Sequence, residues 1–318
     1  MRKVVVIVTC VALCVASFAG GYLVHSSKNT PQSNSSQQTT KYPLLAKRLF
    51  LEDPNDVIIN FSNLREQFNT YMNQNNLKGG LYFEYLPTGT SVRISGDDEQ
   101  VAASLMKLPV VMELYKAAEL GRLNLDTTIA LKQEWLDPAF GDLYKQGVGY
   151  KLTLREAAKL ALTKSDNTAI AAILDNTKNI LKTEENVISS LDVAFVRDDK
   201  LLLSISARSY ASFLKCLYFS CYLTKDNSSQ ILNYMAESDN NNRLRSTIPN
   251  NIKIAHKIGN YSNTTQSDCG IVYVEKRNYV LCAMLQVSDS AEGNKHIADI
   301  SKMAYDYVVS TLSPNTTK

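Results

Sequence analysis

The hydrophobic spacing changes period twice along this chain, and that change restricts the fold more than any other feature. LYFEYLPTGTSVRIS, residues 81 to 95, alternates apolar and polar positions around a Pro87-Thr88-Gly89 turn, as a strand hairpin does. From 104 to about 235, apolar residues recur every three and four positions. The segments 104–120, 153–163, 166–176, 206–222 and 228–237 therefore read as helices. Strand signals return at IKIAHKIG (252–259), CGIVYVE (269–275) and YVLCAMLQV (279–287), with Lys276-Arg277-Asn278 as a turn. A last helix is expected at about 291–311. Strands at both ends with helices between predict an α+β fold. One antiparallel sheet is built from both ends of the body and flanked by helices, with an all-helical lobe inserted over about 104–240. The seam of two such lobes is the default place for a cleft.

Ahead of this body, residues 4–24 carry no charge over 21 positions and follow Arg2 and Lys3. That length spans a bilayer as a helix. The preceding basic residues favour an inside N-terminus and an exported body. Ser17-Phe18-Ala19 offers a small-residue cleavage site, so anchor and cleaved signal peptide both stay open, with the length of the run favouring the anchor. Residues 25–43, rich in Ser, Thr, Gln and Asn, read as a flexible polar linker. The folded domain is then expected over 44–315, outside the cytoplasm and held to the membrane through 4–24, or secreted if the segment is cleaved.

Net charge is +3 with both signs interspersed, which leaves no basic stripe for a nucleic acid. Cys216 and Cys221 lie five apart in a helical pattern, on different faces and too far apart for a bridge. Cys269 and Cys282 fall on neighbouring strands, close but not directly opposite. Buried free thiols are the expectation for all four. No CxxC or His-rich spacing is present, so neither metal nor cofactor is expected. A monomer is expected.

Three short motifs carry chemistry. Ser104 and Lys107, in AASLMKLPV, stand three apart at a helix start, which brings both side chains onto one face. A lysine held in a dry pocket loses basicity and can take a proton from a neighbouring hydroxyl. Ser165-Asp166-Asn167 opens a helix, where any of the three could simply cap backbone N–H groups. Lys257 lies in AHKIGN, on a strand where Gly259 permits close approach of a ligand; an edge lysine that blocks aggregation would look the same.

Ser-Leu-Met-Lys, Ser-Asp-Asn and Lys-Ile-Gly occur in the order and elements of the S-x-x-K, S-D-N and K-T-G signature. The chain resembles the class A β-lactamase branch of the β-lactamase and penicillin-binding-protein superfamily over roughly residues 60 to 312. LTLREAAKLAL and NRLRSTIP look like the family's flanking segments. The resemblance implies that Ser104 is the nucleophile, Lys107 its activating partner and Ser165 the proton relay, with Lys257 tuning the field beside it. Asn167 would bind the substrate's side-chain amide, with Gly259 and Asn260 lining the strand edge. The backbone N–H groups of Ser104 and Asn260 would form the oxyanion hole, and Asp166 would pin a loop. His25, His256 and His296 are the only histidines, a poor supply for a Ser-His-Asp triad.

The chain also departs from that family. Class A members carry a loop with a deacylating glutamate after the second motif; here the interval from Ser165 to a helix start near Ser206 is shorter than expected from that family, and no ExxLN-like run appears. Asp198 and Asp199 are the acidic residues nearest the right place. Ile258 replaces the usual threonine, and Cys269 stands where a carboxylate-binding arginine is expected. Arg243 matches a position from which some members supply a compensating guanidinium fork. Three functions follow: a β-lactamase-like serine hydrolase, a D-alanyl-D-alanine peptidase or cell-wall acyltransferase acting on peptidoglycan stem peptides, or a non-catalytic cell-wall or protein binding module.

Overall fold

The computed structural model describes residues 60–178, 185–193, 195–197, 203–262 and 264–310. The apolar segment 4–24, the linker 25–43, the start of the domain at 44, and Asp198 and Asp199 lie outside them. Among the described residues no helix is long and apolar enough to cross a membrane.

The chain enters through helix α1 (Ser62–Gln74) and the hairpin of β1 (Lys78–Tyr85) and β2 (Thr90–Ile94). Strand β3 (Glu99–Val101) leads into a 3-10 turn, Ala103–Met106, that continues as α2 (Lys107–Glu119). A small pair, β4 (Thr128–Ala130) with β5 (Lys151–Thr153), precedes α3 (Leu154–Thr163), α4 (Asn167–Thr177) and α5 (Glu185–Ser190). Thr153 and Glu156 form a reciprocal cap that starts α3. Strands β6 (Val196–Arg197) and β7 (Leu203–Ser206) pair with each other, and β7 also pairs with β3. Next come α6 (Ala207–Phe219), α7 (Lys225–Ala236), β8 (Lys253–Tyr261), β9 (Thr265–Tyr273), β10 (Tyr279–Gln286) and α8 (Ser290–Ser310).

The main sheet runs β2-β1-β10-β9-β8 with every neighbour antiparallel, so the two ends of the domain share one sheet as the strand signals predict. Both faces are covered, which is why β1, β8, β9 and β10 are buried along most of their length. Leu81, Phe83, Val272, Leu281 and Leu285 enter a core with α1 and α8. Tyr82, Ile271, Val280 and Met284 enter the larger core shared with the helical elements. That alternation places the site. Ala255 faces the helical side, so Lys257 and Gly259, two and four residues on, share that face, and His256 falls on the other.

The cysteine expectations need correction. Helix α6 stops at Phe219, because Ser220 turns left-handed with φ +55°. Cys221 therefore leaves the helical path, and its N–H returns to the Cys216 carbonyl at 2.9 Å. A disulfide joins Cys216 to Cys221 with Cα atoms 5.0 Å apart. Assuming a helix that ran to 222 put the two thiols on different faces. Cys269 and Cys282 are free and buried as expected, but the β9–β10 register sets them directly opposite.

Candidate active site

Ser104 sits in the 3-10 turn at the head of α2, half-buried, directly after Ala103 at φ +46°. A left-handed alanine is strained, and such strain persists where the surroundings hold it. The Lys107 backbone N–H reaches the Ser104 carbonyl, which keeps the lysine one turn on, and its side chain is buried. Gly259 explains how β8 joins this turn. A Cβ there would lie 2.9 Å from the Ala102 carbonyl and 3.0 Å from Leu105, so the glycine admits the nucleophile turn itself against the strand. The sequence alone suggested a ligand as the close neighbour.

Ser165 is a second left-handed residue, at φ +53°. Asp166 follows as the cap of α4. One carboxylate oxygen accepts from the Ala169 N–H at 2.8 Å and the other from the Leu143 N–H at 2.9 Å. Gly141 lies so near that a Cβ on it would be 2.0 Å from that carboxylate. The buried aspartate thus fastens a loop from 137 to 143 onto the start of α4, the pinning role the resemblance implies.

The two lysines meet at Ser165. Lys257 Nζ donates to Ser165 Oγ at 2.8 Å and to the Ile258 carbonyl at 3.1 Å. Lys107 Nζ donates to Asn167 Oδ1 at 2.7 Å, to Ser165 Oγ at 3.3 Å and to the Ser165 carbonyl. One buried hydroxyl therefore lies between two buried amines contributed by segments far apart in the chain. Burial lowers Lys107 to about 8, against the opposing pull of Asp166 and Asp137. Lys257 is pushed well below the ordinary lysine range, first by burial and then by the charge of Lys107. Among the described residues Ser104 Oγ makes no hydrogen bond, so Lys107 is joined to Ser165 and Asn167 at rest.

With this geometry in view, the model of the Beta-lactamase enzyme family matches residues 63–308. The chain belongs to the beta-lactamase enzyme family. Beta-lactamase CARB-3 of Pseudomonas aeruginosa is 24% identical over 250 residues, 73% of this chain and 83% of that protein. The structure of PBP-A is 25% identical with a TM-score of 0.71, covering 78% of this chain and 97% of that one. A mutant of PBP-A, seen as an acyl-enzyme complex with penicillin G, is also 25% identical, with a TM-score of 0.70 and the same coverage of both chains. The protein is thus a serine hydrolase of the beta-lactamase type.

Against that family pattern, one expected residue is differently employed. Arg243 is not an open fork, being 2% exposed. Its Nε donates to Asn294 Oδ1 at 2.7 Å, and one terminal nitrogen donates to the Ser267 and Gly259 carbonyls at 2.6 and 3.2 Å. The other terminal nitrogen donates to Asn260 Oδ1 and Gln266 Oε1. All five N–H groups of the guanidinium are thereby occupied, which leaves none for a substrate carboxylate. Ile258 is buried at 4% exposure. His256, beside Lys257 in sequence, contacts Asp268 at 2.9 Å on the opposite face of the sheet, and so stands apart from the serine hydroxyls. Among the described residues no cluster of His, Cys, Asp or Glu is arranged to hold a metal ion.

Asp137 was missed by sequence reasoning. Its Oδ2 accepts from Asn167 Nδ2 at 3.1 Å, which ties Asn167 to the loop on one side while Lys107 holds it on the other. An aspartate before Pro138 reads locally as a turn residue, and no motif spacing singles it out.

Proposed function

We propose that this chain is an exported active-site-serine enzyme that β-lactams acylate at Ser104. The observation that carries this reading is the Lys107–Ser165–Lys257 bridge beside the turn that bears Ser104. Ser104 Oγ attacks the lactam carbonyl, and its proton passes to Lys107 in the neutral form. With a pKa of about 8, the neutral form makes up about a tenth of the population at pH 7. The oxyanion is held by the backbone N–H groups of Ser104 and Asn260, each typically worth about 3 kcal/mol of barrier. As the carbon–nitrogen bond breaks, Ser165 protonates the leaving nitrogen and is itself reprotonated from the lysine pair. An ester on Ser104 remains.

Removal of that ester by water separates two readings. Between Glu185 and Ser206 the chain has no glutamate; Asp192, Asp198 and Asp199 are the acidic residues there. The strands β6 and β7 lie in that interval, with β7 paired to β3. These features favour a long-lived acyl-enzyme and thus a D-alanyl-D-alanine peptidase or wall acyltransferase as the second reading. Its substrate would be a peptidoglycan stem peptide. The apolar segment 4–24 supports an anchored protein outside the cytoplasm.

Incubation with a fluorescent penicillin tests this directly, with the adduct followed on a gel and by mass. Rapid labelling followed by loss indicates hydrolysis, and a persistent adduct indicates the peptidase reading. Ser104→Ala is expected to give no adduct. Wild type indistinguishable from Ser104→Ala would leave a binding module in place of an enzyme.

A further inference from the structure

Asn167, which the acylation reading assigns to the amide of the substrate's acyl side chain, has its own amide tied at both ends. Its Oδ1 accepts from Lys107 at 2.7 Å, and its Nδ2 donates to Asp137 Oδ2 at 3.1 Å. The nitrogen that a substrate carbonyl would approach therefore already faces a carboxylate. That carboxylate is held in place. Asp137 Oδ1 accepts from the Ala139 N–H at 2.7 Å, and the Asp137 N–H donates to Thr168 Oγ1 at 2.9 Å. The Asn167 N–H donates to the Phe140 carbonyl at 3.0 Å, and Asp166 clamps Leu143 farther along the same loop.

Asp137 is half-buried, and among the described residues no Lys, Arg or His forms an ion pair with it. Lys107 lies within its electrostatic reach but gives its hydrogen bonds to Ser165 and Asn167. A fixed carboxylate without a cationic partner, bonded to the group that would hold the acyl amide, sorts substrates by charge.

We infer that Asp137 is a specificity-determining residue that selects acyl donors bearing an ammonium group on the carbon next to the side-chain amide carbonyl. The same residue disfavours donors with a carboxylate at that carbon. The inference rests on acylation at Ser104 and deepens it by naming the substrate class. That carbon is bonded to the carbonyl that Asn167 would hold, so its substituents come within range of the Asp137 charge. At a separation of roughly 6 Å in a partly solvated cleft, ammonium and carboxylate are expected to differ by about tenfold to hundredfold in acylation rate.

Three penicillins isolate the effect, because ampicillin, benzylpenicillin and carbenicillin carry ammonium, hydrogen and carboxylate at that carbon. Acylation of the full chain in detergent is followed by competition with a fluorescent penicillin, slightly below neutrality so that the ampicillin amine is protonated. Wild type is expected to react in the order ampicillin, benzylpenicillin, carbenicillin. In Asp137→Asn the ratio of the outer two should collapse by about tenfold or more, and added salt should compress the wild-type ratio. The ratio is read within one protein, so a general loss of activity does not mimic the result. An unchanged ratio in Asp137→Asn, or equal wild-type rates for all three, overturns the inference and leaves acylation intact. No adduct with any of the three overturns acylation itself.

Discussion

Lys257 and Arg243 both bury a cationic group against strand β8, and they differ in how many acceptors surround them. Arg243 has five N–H groups and an oxygen for each, from Gly259, Asn260, Gln266, Ser267 and Asn294. Lys257 has two oxygens among the described residues, Ser165 Oγ and the Ile258 carbonyl, and a second amine nearby. Burial lowers the pKa of both, but a guanidinium begins so high that it stays charged, whereas the amine falls well below its usual range. A buried cation with a full set of acceptors braces the backbone. A buried amine gives up its proton more readily, and Lys257 does so with fewer oxygens than donors and a second amine beside it.

Lys107, the other buried amine of the site, has three oxygen acceptors, yet burial still lowers it to about 8, and the largest effect should come from its loss. Lys107→Met is expected to slow acylation by about a thousandfold, within the range for loss of a general base, with circular dichroism unchanged. Acylation within tenfold of wild type would move Lys107 out of the proton path and break the comparison.

A pH profile sharpens it. The folded pKa of Lys107 is lowered to about 8, and the reacting form is the neutral amine. Acylation should therefore rise about tenfold for each unit below pH 8 and level off above it. A flat profile from pH 6 to 9, measured by stopped-flow labelling, would show that this amine does not accept the serine proton.

Arg243 should behave in the opposite way, with its loss felt in stability. Arg243→Ala leaves buried oxygens without donors and is expected to cost about 3 kcal/mol, or a drop in Tm of about 6 to 12 °C. The rates for carboxylate-bearing penicillins and for neutral ester substrates should fall together, their ratio changing by less than about twofold, because no N–H of the guanidinium faces outward. A selective loss for carboxylates would restore Arg243 as a substrate fork.

Much of the site was legible because its chemistry needs particular residue types at short spacings. Ser104 and Lys107, the Ser165-Asp166-Asn167 helix start and Lys257 each declared themselves within a few residues. So did the sheet, since Lys78–Tyr85 and the three late strands carry their own period. Misreadings arose at one local turn and where a long-range partner decided. Ser220, not a glycine, ended α6 and brought Cys221 back to Cys216. Arg243 looked like a free fork because the carbonyls that occupy it belong to β8 and β9. Asp137 looked like a turn residue because Asn167, its partner, lies 30 positions on.

By itself, the sequence determined the hairpin, the three late strands, the longer helices between and after them, and the supply of hydroxyls and amines, because periodicity and side-chain chemistry are local properties. The tertiary structure alone decided which amine meets which oxygen, which cation is fully satisfied, and which pKa values fall. Those outcomes depend on burial and on distances of a few ångströms between segments that the chain keeps far apart.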